Sequence, residues 1–291
     1  MEQHKAYLQI LCKAYPDLSI QSTRIHNTDG QYNNILIINE ELVFRFPKYT
    51  QGVQSIQNEV RILSRIQGTT TLPIPNPIYT SQGEQRLGKV FMGYRMIPGE
   101  PLWLETLQSI GDDEEYQRLA DQLAGFLKEL HRVPVETLGA DLPIHDSVAE
   151  MTELYAQIRT QLFEYMRPDA RDWAIHHFEQ YLDTPQLHEY QLTLHHGDFG
   201  GSNILYNRET RRISGIIDFG FAGLGDPAQD IAAVSTYGEN FLRRFFSTYP
   251  DIESMLARAN FYQGTFALSE ALHGIQHGDQ AAFKAGIAQY I

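Results

Sequence analysis

The 291-residue sequence is poor in cysteine, in long apolar runs and in positive charge, and each shortage excludes a class of protein. Its single cysteine, Cys12, cannot form an internal disulfide, which favours a reducing compartment such as the cytoplasm. The longest apolar runs fall far short of the roughly 20 residues that span a membrane, and the first residues lack the basic-then-apolar pattern of a signal peptide. We therefore expect a cytoplasmic protein with no membrane partner.

Acidic residues outnumber basic ones by 36 to 23, which gives a formal net charge of −13. Nucleic acid selects basic surfaces, so a nucleic acid partner is not expected. The imbalance is uneven, because residues 1–97 carry 10 Lys and Arg against 7 Asp and Glu, whereas residues 98–291 carry 13 against 29. The first part suits an anion and the second a cation, although a solvated acidic surface accounts for the same counts.

The hydrophobic pattern changes along the chain from strands to helices. Strands are predicted at 33–38, 42–46, 89–97 and 191–195, and helices at 4–15, 53–66, 116–131, 148–166 and 169–182. One β-hairpin, at 204–217, interrupts the helical part. This order predicts an α+β protein with a β-rich N-terminal lobe and hinge at 1–97 and a mainly helical C-terminal lobe at 98–291.

The residues that indicate chemistry lie between His196 and Asp218. Asp198 follows His196 and Gly197, Asn203 comes five residues after Asp198, and Asp218 begins an Asp-Phe-Gly triplet. Asp198 is suited to accept the proton of a hydroxyl or to orient it, and Asn203 and Asp218 offer the hard oxygen atoms that Mg²⁺ binds. The predicted hairpin would bring Asn203 and Asp218 alongside each other. The spacing H-x-D-x₄-N, followed by D-F-G, matches the catalytic and metal loops of the kinase-like fold.

A kinase-like lobe also needs a loop over the phosphates, a basic residue on a following strand and an acid on the next helix. Gly30 and Asn33 lie in the predicted phosphate loop, which lacks the full G-x-G-x-x-G pattern. Arg45 stands on the strand where a lysine is usual, and Lys48 is the second candidate for contacting the phosphates. Glu59 on the following helix is the predicted ion-pair partner of the basic residue.

Together these segments resemble the aminoglycoside phosphotransferase family, small-molecule kinases related in fold to the protein kinases. The resemblance rests on residues 196–205, 216–220 and 225–230, covers nearly the whole chain, and is strongest to the branch that modifies the 2″-hydroxyl of aminoglycosides. It implies a bilobal kinase-like fold, ATP or GTP as phosphate donor and Mg²⁺ as cofactor. It also implies that Asp198 is the catalytic base and that Asn203 and Asp218 are the metal ligands.

The resemblance further implies where the ligands bind. The nucleotide would hydrogen-bond to backbone groups near Tyr94 and Met96. Glu239, Glu270 and Tyr237 are the candidate acceptor contacts, because carboxylates give charge-assisted hydrogen bonds to the ammonium groups of an amino sugar. The alternative for these three is that the acids are exposed helix residues and the tyrosine belongs to the core.

The sequence therefore predicts a monomeric enzyme that transfers a nucleotide γ-phosphate, with Mg²⁺, to a hydroxyl of a small cationic molecule, an aminoglycoside. The alternative among enzymes is a kinase for another small hydroxyl substrate, such as a macrolide, homoserine, choline or an amino sugar. The alternative outside enzymes is a non-catalytic, nucleotide-binding regulator. Arg45 in place of lysine favours the regulator, whereas the retention of Asp198, Asn203 and Asp218 argues against it.

Overall fold

The computed structural model describes residues 2–26 and 32–291. The helices are α1 (Glu2–Ala14), α2 (Gln51–Ile66), α3 (Leu104–Gln108), α4 (Asp113–His131), α5 (Ser147–Gln161), α6 (Pro168–Leu182), α7 (Ala228–Ser235), α8 (Glu239–Thr248), α9 (Leu256–His277) and α10 (Gln280–Ile287). The strands are β1 (Thr23–His26), β2 (Asn33–Ile38), β3 (Leu42–Pro47), β4 (Tyr79–Thr80), β5 (Met92–Arg95), β6 (Glu100–Pro101), β7 (Thr193–His195), β8 (Ile204–Asn207), β9 (Arg212–Ile216) and β10 (Gly223–Gly225). No described helix is long and apolar enough to cross a membrane.

Contacts within the chain divide it into two compact units, which are described separately. The first unit comprises Met1–Thr106, Val133–Pro143 and Gly201–Ala222, and the second comprises Leu107–Arg132, Ile144–Gly200 and Gly223–Ile291. A single boundary was predicted after residue 97, whereas the chain enters and leaves the first unit more than once. The β8–β9 hairpin in particular belongs to the first unit, although helices precede and follow it in the sequence.

The first unit contains a five-stranded antiparallel sheet with the strand order β1-β2-β3-β5-β4. A tight turn joins β2 to β3, because Asn39 and Glu40 have φ values of 56° and 52° and the N–H of Glu41 donates to the carbonyl of Ile38 at 3.0 Å. Two successive positive φ values are typical of the type I′ turn, whose twist matches that of the strands it joins. This turn fixes the β2–β3 register and therefore the direction in which Arg45 points.

One face of this sheet is covered by α1 and forms the core of the first unit. The buried side chains of this core come from α1, β2, β3 and the residue before β5: Tyr7, Leu11, Leu36, Ile38, Leu42, Phe44, Phe46 and Phe91. The ring of Tyr7 stacks on that of Phe46 with the centroids 3.9 Å apart. Burial of these large apolar groups stabilises the sheet that carries Arg45.

The second unit is mainly helical, with a short β7–β10 ladder. Helix α9 packs against α7 and α10, and α4 packs against α8. The approach of α10 to α9 requires glycine at position 286, because a Cβ there would lie 2.4 Å from the backbone nitrogen of Ala271. Helices α4 and α7 contact the segment around Asp198, through the ring of Phe126 on Phe199 and the carboxylate of Asp230 on the amides of His196 and Gly197.

The α+β class, with a β-sheet N-terminal region and a helical C-terminal part, is confirmed. The predicted strand at 89–97 shortens to β5, and the predicted helix at 148–166 ends at Gln161, followed by a single 3₁₀ turn at Phe163–Tyr165. Strands β1, β4, β6 and β10 were not predicted, since two to four residues are too few to show an alternating pattern.

Candidate active site

In the first unit, Arg45 on β3 bridges two carboxylates. Its Nη1 donates to Oε1 of Glu59 on α2 and its Nη2 to Oδ1 of Asp218, each at 2.5 Å. The same Oε1 of Glu59 accepts the backbone N–H of Phe219 at 3.0 Å. Arg45 is 3% exposed and Glu59 is fully buried, so the guanidinium is the cation that compensates a carboxylate removed from water. The strand, the helix and the Asp-Phe-Gly segment are thereby tied together at one side chain.

Burial and charge shift the pKa values of this cluster. Burial acts to lower the pKa of Arg45, but the charges of Asp218 and Glu59 outweigh it and raise that pKa above its ordinary value. Burial raises the pKa of Glu59, a shift that Arg45 opposes and that the nearby charge of Asp218 increases. Arg45 therefore remains charged, as an arginine does at any pH at which a protein is folded.

Asp218 has a backbone conformation that is uncommon for a residue with a side chain. Its φ is 65°, in the left-handed region, which costs about 1 kcal/mol or more for a residue other than glycine. The segment after it is fixed by Ser55 on α2, whose Oγ donates to the carbonyl of Gly220 at 2.6 Å. The Asp218 side chain is 37% exposed, while its Oδ1 is held by Arg45. Strain of this kind is typical of positions that present a functional group.

The β8–β9 hairpin places Asn203 next to the Asp218 segment, as the sequence predicted. Asn203 directly precedes β8, and the N–H of Ile217, which directly follows β9, donates to its carbonyl at 2.9 Å. An amide oxygen and a carboxylate on neighbouring positions suit Mg²⁺, which commonly takes one or two protein ligands and completes its shell with phosphate and water. Within residues 2–26 and 32–291, no group of three or more His, Cys, Asp or Glu side chains is arranged for a metal ion. The residues present thus fit Mg²⁺ held together with a phosphate.

The other first-unit candidates have varied surroundings. Lys48 directly follows β3, and its backbone N–H donates to the carbonyl of Tyr32 at 2.8 Å. Asn33 begins β2, and its Oδ1 is buried with no hydrogen-bond partner in the described part of the chain. Tyr94 is buried in β5, whereas the N–H of Met96 donates to the carbonyl of Glu41 at 2.7 Å and extends the β3–β5 pairing. Gly30 lies outside the described residues.

In the second unit, Asp230 on α7 clamps the backbone that leads to Asp198. Its carboxylate is fully buried and accepts the N–H groups of His196 at 2.8 Å and Gly197 at 2.9 Å. His131 on α4 adds a third contact, with its Nε2 3.0 Å from Oδ2. Burial acts to raise the pKa of Asp230, but the hydrogen bond and the charge of His131 outweigh it and lower that pKa to about 2. Asp230 is therefore an ionised anchor for the catalytic loop.

Asp198 is exposed, although the residues around it are buried. His196 is fully buried, and its Nδ1 accepts the N–H of Asp198 at 3.2 Å. Phe199 is 1% exposed and its ring is parallel to that of Phe126 on α4, with the centroids 5.8 Å apart. Gly197 takes a φ of 79°, which turns the chain between the clamp and Asp198. The loop is thus fixed on both sides of the one carboxylate that faces solvent.

A cavity of about 320 Å³ in the second unit contains Asp198. Its other walls come from α5, α7 and α9, and Glu150 on α5 is the second carboxylate that lines it. Of the 14 described residues around it, none is Lys, Arg or His, so its formal charge is negative. A larger cavity of about 560 Å³ in the first unit contains none of the site residues that the sequence indicated.

Comparison with known proteins now decides the family. A family model described as the phosphotransferase enzyme family matches residues 25–261. This chain belongs to that family. The match covers most of the chain, including Arg45, Asp198, Asn203 and Asp218.

Similar proteins span the whole length of this phosphotransferase. It is 27% identical over 296 aligned positions to the viomycin phosphotransferase of Streptomyces vinaceus, covering 100% of this chain and 99% of that protein. It is 30% identical to the aminoglycoside phosphotransferase APH(2″)-IIIa, solved with GDP and kanamycin, with a TM-score of 0.88 and coverage of 97% of this chain and 96% of that one. A complex of APH(2″)-IIa with streptomycin and ATP has a TM-score of 0.74 at 22% identity, over 97% and 94% of the two chains, and shows the fold alone. The predicted kinase-like fold is confirmed.

Three predicted acceptor contacts of this phosphotransferase do not line the cavity that contains Asp198. Tyr237 is 6% exposed and its ring packs against Phe241, with the centroids 5.2 Å apart. Glu239 is the first residue of α8, and Glu270 is exposed on α9. Burial, and then the charge of Asp279, raise the pKa of Glu270. The structure does not bring these three side chains into that cavity, and their contact with an acceptor stays a prediction.

The roles of some residues of this site were not predicted from the sequence. Glu150 was not singled out, because one acid near the start of an acidic helix looks like a solvated residue. The resemblance also implies that Asp226 and Asp230 are structural and hold the metal loop and the following helix. In the structure Asp226 accepts the N–H of Ala228 at the start of α7 at 3.0 Å and binds Arg258 through both oxygens, at 2.8 and 3.2 Å. Asp230 holds the loop before Asp198. An acid in the helix that follows the metal loop, 32 positions after Asp198, is the signal in the sequence for this clamp.

Proposed function

We propose that this phosphotransferase transfers the γ-phosphate of ATP or GTP, with Mg²⁺, to a hydroxyl of a small cationic molecule, with an aminoglycoside as the first choice. The observation that carries the proposal is the exposed Asp198, fixed by a buried clamp and lining a cavity with negative formal charge. The family supports phosphate transfer, and the relatives named for viomycin and aminoglycosides support an antibiotic as acceptor.

Asp198 acts as the general base or orienting group for the acceptor hydroxyl. A carboxylate does this when it is ionised, accessible and held in one place, because it must meet the hydroxyl proton as the oxygen attacks phosphorus. The hydrogen bonds from the His196 and Gly197 amides to Asp230 fix the backbone that carries it. General base assistance contributes typically about 10²–10⁴ in rate.

Asn203 and Asp218 would hold Mg²⁺, which when bound neutralises charge on the phosphate oxygens. Arg45 acts on this pair through Asp218, since its guanidinium holds Oδ1 at 2.5 Å. Both of its terminal nitrogens donate to carboxylates, so we assign Arg45 as a positioning residue. The groups proposed to contact the phosphates are then Lys48, just beyond the end of β3, and the loop with Gly30 and Asn33.

The acceptor class follows from charge. Asp198 and Glu150 give the cavity two carboxylates, and the lining residues bring no compensating cation. An acceptor with an ammonium group gains Coulomb energy there, whereas a macrolide would need a larger and more apolar cavity. Similar structures were solved with GDP and with ATP, so the assay below tests both ATP and GTP as donors.

A coupled phosphate-transfer assay tests the proposal. With Mg²⁺ and either ATP or GTP, the acceptors are kanamycin, gentamicin, viomycin, a macrolide, choline and homoserine. We expect turnover with at least one cationic antibiotic, and Asp198→Asn should lower kcat by about 10²-fold or more while the nucleotide affinity stays unchanged. Asp172→Asn, an exposed acid on α6, is the matched control.

Two results would contradict the proposal. Transfer by Asp198→Asn at the wild-type rate would remove Asp198 from its role as base. Nucleotide binding without turnover on any acceptor would instead favour the regulator that binds a nucleotide and does not catalyse.

A further inference from the structure

The cavity that contains Asp198 is asymmetric in its chemistry. Its two carboxylates belong to the catalytic loop and to α5, while α7 and α9 contribute neutral side chains such as Gln229, Ala233 and Phe266. The hydroxyl of Tyr262, a further lining residue, already donates to Asp226 at 3.0 Å. If Asp198 meets the acceptor hydroxyl, Glu150 is the one other charged group that lines the cavity.

The position of Glu150 on α5 suits a carboxylate that binds a cation. It lies in the first turn of the helix, where the positive end of the helix dipole favours a negative charge. Its side chain is 43% exposed, so the carboxylate lines the cavity without the full desolvation cost of burial. The side chain is thus accessible to a ligand at a place where a negative charge is favoured.

His145 orients the carboxylate of Glu150. Its Nδ1 lies 2.9 Å from Oε1 of Glu150. Its Nε2 is buried and has no hydrogen-bond partner anywhere in the described residues, so a hydrogen there would be an unsatisfied buried donor. The hydrogen on Nδ1 is therefore the one that donates to Glu150, and the second carboxylate oxygen is left for a ligand.

The ring of His145 is itself fixed. It meets the ring of His195 edge to face, with the centroids 5.1 Å apart, and the backbone N–H of His145 donates to the carbonyl of Leu224 at 2.8 Å. His195 is 1% exposed and belongs to β7, the strand that leads into the catalytic loop. The donor that orients Glu150 thus rests on the same strand that positions Asp198.

We infer that Glu150, oriented by His145, is the ammonium-binding residue for the acceptor and selects hydroxyl substrates that carry a cationic amine. This inference rests on the proposed function, since Asp198 defines where the reacting hydroxyl lies. Glu150 binds the substrate, and His145 is a positioning residue that acts through Glu150. An acceptor that lacks the amine leaves the Glu150 charge without a cation and loses a charge-assisted hydrogen bond.

The test compares Glu150→Gln with Glu153→Gln, which removes the same charge three residues further along the same exposed helix surface. Calorimetry measures the binding of kanamycin A and of its fully N-acetylated derivative, which keeps the hydroxyls and loses the ammonium groups. We expect Glu150→Gln to weaken kanamycin binding about tenfold and to leave the acetylated compound unchanged, because one charge-assisted hydrogen bond is lost. Glu153→Gln should change neither affinity by more than about twofold, as expected for an exposed charge that touches no ligand.

A double-mutant cycle tests the role of His145. His145→Ala should raise the KM for kanamycin with little change in kcat, and His145→Gln, which keeps a donor, should restore part of the affinity. In the Glu150→Gln background, His145→Ala should add nothing further, because its effect passes through Glu150. An additive effect of the two substitutions would show that His145 only supports the fold and would overturn its positioning role.

The binding and transfer measurements separate the two proposals. Kanamycin binding that Glu150→Gln weakens, without phosphate transfer to any acceptor, would refute the proposed function and leave Glu150 only as an ammonium-binding residue. Transfer to kanamycin with the same KM in Glu150→Gln and wild type would refute the inference and leave the proposed function. Wild-type protein that binds no kanamycin at all would also overturn the inference.

Discussion

Replacing Arg45 by methionine removes the cation that Glu59 and Asp218 share. Glu59 is fully buried, and after the substitution its Oε1 would keep only the backbone N–H of Phe219. Removing one partner of a buried ion pair costs about 3–5 kcal/mol, because the remaining carboxylate either stays charged out of water or takes up a proton against its ordinary pKa. Asp218 is 37% exposed, so water screens its charge and it adds little to that cost.

We therefore expect Arg45→Met to lower the free energy of unfolding by about 3–5 kcal/mol. For a chain of this size about 2 °C in Tm corresponds to each kcal/mol, so the midpoint of thermal unfolding should fall by about 6–10 °C. Differential scanning calorimetry measures the midpoint, and urea unfolding gives the free energy.

Two further variants separate charge burial from lost packing. Arg45→Met combined with Glu59→Gln leaves no buried charge and should recover more than half of the loss, because both charged partners are then absent. Arg45→Lys keeps the charge but has no two-armed guanidinium, so its stability should lie between those of wild type and Arg45→Met. A midpoint within 2 °C of wild type for Arg45→Met would show that Glu59 does not carry a buried charge and would refute the argument.

Three other outcomes follow from the structure. Burial lowers the pKa of His195 to about 4. As the pH falls from 6.5 to 4, this residue binds a proton in the unfolded chain but not in the folded chain. The free energy of unfolding should therefore drop by up to about 3 kcal/mol. Urea unfolding at several pH values should show that the free energy of unfolding falls less steeply with pH in His195→Leu than in wild type. Equal slopes in the two proteins would contradict this prediction. Asp230→Asn replaces one of the two oxygens that accept the His196 and Gly197 amides by an NH₂ donor, so kcat should fall at least tenfold in the still-folded fraction. An unchanged kcat would show that the clamp does not position the loop. Removal of divalent metal with EDTA should abolish turnover, and added Mg²⁺ should restore it. Asn203→Ala should raise the Mg²⁺ concentration needed for the half-maximal rate. Turnover that persists in EDTA would contradict the metal assignment.

The features that the sequence predicted correctly are those that depend on near neighbours in the chain. Strands β2 and β3 lie close to their predicted bounds because alternating apolar residues and the turn at Asn39 are local signals. The pairing of Asn203 with the residue before Asp218 follows for the same reason, since one hairpin joins them. The contact of Arg45 with Glu59 spans 14 residues and needed the kinase-like pattern to be foreseen.

The features that the sequence did not predict depend on contacts between distant segments. Glu150 and Asp198 line one cavity although 48 positions separate them, and helical periodicity does not tell which face of α5 meets that cavity. Tyr237 was predicted to contact the acceptor, but it is buried. An aromatic residue before a helix is equally compatible with a ligand site and with a core, and the sequence does not distinguish the two. Length and composition also gave no sign that the β8–β9 hairpin would join the first unit.

The backbone after β5 has a consequence for the choice of nucleobase. The amide of Met96 is already donated to the carbonyl of Glu41, and Pro98 has no N–H to offer. In the described part of the chain, Ile97 is thus the one residue among 96–98 whose N–H is not already used. If a nucleotide binds along this segment, as the resemblance implies, its base meets one N–H group that is not already used, that of Ile97. Adenine and guanine present different donors and acceptors on the edge that would meet this group, so the preferred triphosphate would follow from which acceptor atom the N–H of Ile97 reaches.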